Sequence, residues 1–176
     1  MKKLLTVLVI LSITACSTPA EPAPSQSLAV PAMTASPAKL ACLVEPGDMS
    51  DAEVVADHAA YYLTCIEASD TSPAAQVERA RSYLTEDLYL TLSTSTAQSD
   101  RYWNATINAA TTTKVTTERL YMDSYNPAST GTMTLDRVAT STSSAAGTQV
   151  IYYTFTLESQ TDHTYRISDI AATAKK

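Results

Sequence analysis

Few residues in this sequence combine a reactive side chain with a position from which it could act. The chain has 2 histidines, and His58 lies at the edge of an apolar stripe, three residues after Val55 and four before Tyr62. A histidine on such a flank could serve as a general base, with Asp136 from a later segment as its partner. The alternative, which we favour, is a structural histidine that makes one hydrogen bond. His163 lies in a polar stretch and is expected to be solvated.

The 3 cysteines are the other reactive side chains. Cys16 follows an apolar N-terminal run, whereas Cys42 and Cys65 come later. If the chain is exported to an oxidising compartment, Cys42 and Cys65 are predicted to form a disulfide. Closing a loop of this size would stabilise the fold by ~3 kcal/mol. Two free buried thiols are the alternative.

Other common patterns of catalytic and ligand-binding sites are missing from the sequence. Two histidines and three cysteines with other expected roles leave no cluster with the spacing of metal ligands. The 3 glycines are too few for a glycine-rich phosphate loop. The strained Gly-x-Ser-x-Gly turn of many hydrolases is also missing. We therefore expect no metal, no cofactor and no catalytic residue.

Residues 1–15 have the pattern of a secretory signal peptide. Two lysines precede an almost unbroken apolar run, and small residues then lead into Cys16. The run is about half of the ~20 residues that a membrane-spanning helix needs. The sequence Ile13-Thr14-Ala15-Cys16 resembles the lipobox of bacterial lipoproteins. That resemblance implies cleavage before Cys16 and acyl chains on Cys16, which would hold the protein at a membrane, outside the cytoplasm.

Residues 16–41 are predicted to be a tether that follows the lipidated cysteine. Five of the 8 prolines lie in it, among alanine, serine and threonine. A proline-rich chain favours extended polyproline II, so this tether could reach roughly 75 Å from the membrane. Ser17, rather than aspartate, follows the cysteine, so the resemblance to bacterial lipoproteins implies the outer membrane in a host with two membranes and the cell membrane in a host with one. Such reach suits a domain that must find an envelope protein partner.

The chain beyond the predicted signal peptide is acidic. Residues 1–15 contain two of the 12 basic residues and none of the 18 acidic ones, so the remainder has a formal charge of −8. Phosphate backbones and anionic lipid headgroups would repel such a chain. We expect no nucleic-acid binding, and solubility alone accounts for the charge.

Residues 42–176 are predicted to form one globular domain that begins with helices. Ser50 and Glu53 match a capping box, and the apolar stripe after them predicts an amphipathic helix that ends near Asp70. The side chains expected to face away from the core are those of Glu53, Asp57, Thr64 and Glu67. A second helix should restart at Pro73, and Thr85 should cap a third. Residues 100–110 could form a further weak helix.

The second half of the domain is predicted to be a sheet. Its strands are the runs rich in valine, isoleucine, threonine and tyrosine, namely Val115 to Met122, Thr132 to Ala139, Val150 to Leu157 and Tyr165 to Ala171. Short polar breaks between these runs indicate an antiparallel meander. In the third run, Ile151, Tyr153, Phe155 and Leu157 share one face. The expected fold class is α+β, with N-terminal helices packed on a curved four-stranded antiparallel sheet.

Two short segments resemble nuclear-transport-factor-2-like domains. Residues 80–88, ARSYLTEDL, are similar to the second-helix segment of that family, and residues 165–170, YRISDI, are similar to its closing strand. The order of helices and strands is also similar over roughly residues 48–172. The resemblance implies a cone-shaped domain. Residues 160–163 stand where the family usually has a glycine turn.

The resemblance also carries a functional expectation. The exported members of this superfamily that are most similar are the assembly subunits of type IV secretion and conjugation machines, which bind other proteins and catalyse nothing. We therefore expect a membrane-anchored, extracytoplasmic lipoprotein that acts as a non-catalytic protein-interaction module, with conjugation or secretion as its setting. The alternative is a small-molecule-binding or isomerase-like protein that uses His58 inside the cone.

Overall fold

A computed structural model describes residues 42–95, 101–120 and 131–175 of the 176-residue chain. The predicted signal peptide, Cys16 and the whole of the predicted tether lie outside the described residues. In the part of the chain that is described, no helix is both long and apolar enough to cross a membrane.

The described chain consists of helices followed by strands. In order, the elements are α1 (Ala52–Thr64), α2 (Ala74–Ala80), a short 3₁₀ helix (Arg81–Tyr83), α3 (Glu86–Thr94), α4 (Arg101–Asn108), β1 (Lys114–Arg119), β2 (Thr132–Ser143), β3 (Gly147–Ser159) and β4 (Tyr165–Lys175). This order confirms the predicted α+β class.

The four strands form one open antiparallel sheet in the order β1-β2-β3-β4. The predicted antiparallel meander is therefore confirmed. β2 and β3 pair without interruption from Thr132 opposite Glu158 to Ser143 opposite Gly147. The pairing of β3 with β4 contains one bulge, opposite Thr156 and Leu157, which shifts the register by one residue.

The core lies between α1 and one face of the sheet, here called the inner face. Tyr153, Phe155 and Leu157 of β3 are buried there, as the alternation predicted, and Ile151 is half-buried. The facing side of α1 presents small side chains, namely Ala52, Val55, Ala56, Ala59 and Ala60. Small residues on the helix allow its backbone to approach the aromatic residues of the sheet closely.

The start of α1 differs from the predicted capping box. Asp51, rather than Ser50, is the N-cap, and its carboxylate accepts a hydrogen bond from the Glu53 N–H at 2.9 Å. Ser50 instead donates its hydroxyl to Asp48 at 2.7 Å. Aspartate is as good an N-cap as serine, and its charge is also favourable at a helix N-terminus.

The end of α1 is also earlier than predicted. The helix stops at Thr64, and Cys65 already has an extended backbone. Tertiary partners replace the helical hydrogen bonds at this point: Arg79 donates to the Cys65 carbonyl at 2.6 Å, and the Ile66 N–H donates to the Thr113 hydroxyl at 2.9 Å. These contacts come from residues far along the chain, so the local pattern could not show them.

Two side chains that were expected to face away from the core are buried. Thr64 shares a hydrogen bond of 3.0 Å with the Tyr153 hydroxyl. Glu67 accepts a hydrogen bond from the Cys42 N–H at 3.0 Å. Both residues therefore tie the C-terminal end of α1 to other segments.

A disulfide joins Cys42 to Cys65, the two cysteines that the sequence analysis paired. Their Cα atoms are 5.8 Å apart, and both residues are fully buried. The bond attaches the N-terminal segment, defined here as residues 42–48, to the end of α1.

Replacing both cysteines, Cys42→Ala with Cys65→Ala, is expected to lower the free energy of unfolding by ~3 kcal/mol, because the crosslink closes a loop with a sequence separation of 23. Urea denaturation of the full chain, followed by circular dichroism with and without reductant, measures this loss. Reductant should shift the wild-type midpoint towards that of the double variant and leave the double variant unchanged. A wild-type midpoint that does not respond to reductant would contradict the prediction.

Candidate functional site

His58 lies on α1 against Tyr83 and the N-terminal segment. Its Nδ1 shares a hydrogen bond of 2.9 Å with the Tyr83 hydroxyl, and the two rings meet edge to face with centroids 5.4 Å apart. The same hydroxyl accepts a hydrogen bond from the Gly47 N–H at 3.5 Å. Burial raises the pKa of Tyr83 above its ordinary value. Among the described residues, His58 therefore makes one hydrogen bond, as a structural histidine does.

Gly47 leaves no space above His58. A Cβ atom at Gly47 would lie 2.4 Å from the His58 ring and 2.4 Å from Val54, closer than carbon atoms can approach. A larger residue here would force the His58 and Val54 side chains to move, because the backbone of the N-terminal segment runs close to the imidazole. The segment thus packs against one side of the half-buried residue that the sequence offered as a general base.

Tyr62 and Tyr83 hold the N-terminal segment in place. The two rings stack with centroids 5.8 Å apart, and both are buried. The Tyr62 hydroxyl donates to the Val44 carbonyl at 3.1 Å and accepts from the Val44 N–H at 3.4 Å. Each buried ring therefore ends in a hydroxyl that satisfies backbone groups of the segment, which is the usual requirement for buried tyrosine.

Asp136 does not join His58. It lies on β2 between Leu135 and Arg137, which point to the inner face, so its own side chain is on the opposite face of the sheet. There it accepts a hydrogen bond from the Thr154 hydroxyl at 2.6 Å, across the strand pair. The proposed base and its proposed partner are thus separated by the sheet, and this pairing was wrong.

A charge cluster that was not predicted from the sequence lies between α1 and the sheet. The guanidinium of Arg137 is 2% exposed and forms ion pairs with both Glu53 and Asp57. It also donates to the Glu53 carbonyl at 3.1 Å and to the Asp136 carbonyl at 2.8 Å. Arg119, which is opposite Arg137 in the register of β1 and β2, lies 3.2 Å from Asp57.

The cluster is electrically balanced, since two arginines meet two carboxylates. Glu53 and Asp57 were expected to face away from the core, but they cover Arg137 and are only partly exposed. One signal was available in the sequence: the carboxylates are four residues apart on one helix face, and Arg137 falls at an inward position of β2. The arrangement positions α1 on the sheet because a buried guanidinium needs its partners in place.

The described residues line at least three surface clefts, and His58 lines none of these three. One, of about 290 Å³, is lined mainly by apolar residues, among them Leu63, Trp103, Ile151 and Ala172. A neighbouring cleft of about 470 Å³ shares Gln149 and Ala174 with it. The third, of about 600 Å³, has charges of both signs, including Glu78, Arg81 and Arg166.

The remaining candidate residues form no chemical site. His163 is exposed in the turn before β4, where it takes a left-handed backbone with φ of 64°. It thus adopts the conformation for which other proteins usually use glycine. Within residues 42–95, 101–120 and 131–175, no three histidine, cysteine, aspartate or glutamate side chains are grouped as metal ligands would be.

Comparisons of this chain with protein-family models, with curated proteins and with solved structures gave no significant match. The likeness to nuclear-transport-factor-2-like domains therefore stays a prediction from two short segments and the order of elements.

The buried hydroxyl of Tyr153 makes stability depend on pH in the alkaline range. Burial raises the pKa of Tyr153 from 10.0 to about 12, and the hydrogen bond with Thr64 offsets part of this rise. Between these two values the unfolded chain has lost the proton and the folded chain keeps it. The free energy of unfolding therefore falls as pH rises through this window, by an amount on the order of 3 kcal/mol.

Tyr153→Phe should remove this alkaline loss. At pH 8 the variant is expected to be less stable than wild type by ~1 kcal/mol, because Thr64 loses its partner. Near pH 11.5 the difference should vanish or reverse. Urea denaturation at both pH values measures it, and a stability difference that stays constant with pH would contradict the expected titration.

Proposed function

We propose that this protein is a lipid-anchored, extracytoplasmic lipoprotein whose α+β domain is a non-catalytic protein-interaction module. In this proposal, acyl chains on Cys16 hold the protein at the cell membrane or outer membrane, and residues 16–41 tether the domain. Its partner is another protein of the cell envelope. No metal, cofactor or nucleic acid takes part.

The position of His58 is the observation that carries the non-catalytic assignment. A general base must be within hydrogen-bond reach of a proton on a bound substrate. The His58 ring is instead bonded to Tyr83 and lies under Gly47, and it borders none of the three clefts. The geometry thus supports a structural role for the one residue that could have carried catalysis.

The packing of the interior also supports a binding function over an enzymatic one. The inner face of the sheet is filled by Phe155, Leu157 and Ile167, each fully buried against the helices. An enzyme of the cone-shaped kind would need an open interior at this place. Recognition by this domain is therefore proposed to use its outer surfaces.

The setting in conjugation or type IV secretion is proposed from the resemblance to nuclear-transport-factor-2-like assembly subunits. The succession of helices and an antiparallel meander supports that fold, and the proline-rich tether supports a partner at a distance from the membrane.

Metabolic labelling with radioactive palmitate tests the anchor. Wild-type protein produced in a bacterium should incorporate label and sediment with membranes, whereas Cys16→Ala should incorporate none and leave the membrane fraction. Absence of label from the wild-type protein would contradict lipidation and with it the proposed compartment.

Crosslinking in intact cells of the source organism, followed by affinity capture, tests the interaction. The same crosslinked partner should be recovered with wild type and with His58→Gln, since glutamine can keep the hydrogen bond to Tyr83. The biological effect of deleting the gene should be rescued equally by both chains. Rescue by wild type but not by a folded His58→Gln chain would contradict the non-catalytic assignment.

A further inference from the structure

β4 is an edge strand of the described sheet, and only the first part of its outer edge is covered. The Tyr165 N–H donates to the Met49 carbonyl at 2.8 Å, and the Thr85 N–H donates to the Ile167 carbonyl at 2.8 Å. Among the described residues, no backbone hydrogen bond reaches this edge from residues 169 to 175. Residues 171–175 are all exposed.

The backbone groups that point outward along this free edge follow from the register. In an antiparallel ladder, successive residues direct their N–H and C=O groups alternately towards and away from the neighbouring strand. The covered part shows that Tyr165 and Ile167 point outward, and the bulge after Ile167 shifts the alternation by one residue. Ile170, Ala172 and Ala174 therefore present outward N–H and C=O groups that have no backbone partner within the described part of the chain.

From Asp169 to Lys175 this edge carries few of the usual protections against pairing with another chain, since the bulge lies before this stretch and its two charges lie at its ends. It contains no proline, and the residues that point their backbone outward are apolar or small. Natural sheets usually block such an edge with proline, an inward-pointing charge or a covering segment. Here the covering segments, at Met49 and Thr85, stop before the bulge.

We propose that the free edge of β4 pairs with the same edge of a second copy of this chain. The two strands run antiparallel about a two-fold axis at Ala172, so that the two sheets become one continuous sheet. Residue 172 then faces residue 172 of the second copy, and Ile170 faces Ala174. About six main-chain hydrogen bonds form, because each of these pairs can exchange two.

Charge complementarity favours this register and favours a second copy of this chain as the partner. With the axis at Ala172, Asp169 faces Lys175 of the second copy at both ends of the paired segment. Both residues lie on the outer face, at positions where the backbones do not bond and the side chains approach closely. An axis at Ala171 would instead place Lys175 opposite Ile167, and an axis at Thr173 would place it opposite Ala171.

The β4 side chains on the inner face at this edge are small. Ala172 and Ala174 point to that face beside Tyr153 and Ile151, and both are exposed. Two small side chains across the axis raise no steric barrier. This inference depends on the strand edge alone and is independent of the proposed function.

Sedimentation equilibrium of the full chain tests the proposal. All chains carry Cys16→Ala, so that neither acyl chains nor this thiol joins two molecules. The parent chain should dimerise. Asp169→Lys and Lys175→Asp should each raise the dissociation constant at least tenfold, because each places like charges opposite one another. In the double variant Asp169→Lys with Lys175→Asp, the dissociation constant should return to within about threefold of the parent value.

A parent chain that stays monomeric at ~100 μM would overturn the proposal, as would single charge reversals that leave dimerisation unchanged or a double variant that fails to restore it. Ala172→Pro gives a second test that does not depend on charge. It removes an outward N–H at an edge position that tolerates proline, so the fold should persist by circular dichroism while the dimer is lost. A dimer that survives this substitution would also overturn the proposal.

Discussion

The burial of one guanidinium group governs how this domain is assembled. Arg137 projects from the middle of the sheet into the interface with α1 and is almost completely removed from water. A cation in that position is tolerated only if carboxylates and carbonyls surround it. Glu53 and Asp57, one helical turn apart, supply the carboxylates. Only one orientation of α1 about its own axis brings both carboxylates to Arg137. In that orientation the small residues of α1 face the core.

The orientation of α1 about its axis also determines which contacts the reactive residues of the chain make. With Glu53 and Asp57 over Arg137, the flank that carries His58 and Tyr62 meets the N-terminal segment, and Cys65 meets Cys42. The side chains with the greatest chemical reactivity, those of His58 and Cys65, therefore hold the N-terminal segment in place. The surfaces left for recognition are the clefts, the outer face of the sheet and the free edge of β4.

The sequence predicted those features of the fold that depend on local pattern. The four strands, their antiparallel order and the inward face of β3 were correct because alternation in residues such as Phe155 and Leu157 is a local signal. The early end of α1 and the burial of Thr64 and Glu67 were missed because their partners are distant in sequence. Arg137 was missed because arginine is rarely buried unless it is paired. Asp136 was wrongly predicted to lie near His58. The alternation of side chains along β2 places it on the face of the sheet opposite to Leu135 and Arg137.

The stability of two arginine variants tests most directly whether the buried guanidinium organises the domain. Arg119 faces the same carboxylates from the neighbouring position on β1 but is 41% exposed, so Arg119→Ala is the matched control. Arg137→Ala should lower the free energy of unfolding by ~3 kcal/mol or more, as expected for a buried pair that loses one partner. Arg119→Ala should cost less than ~1 kcal/mol. Equal and small losses from both variants would contradict the account.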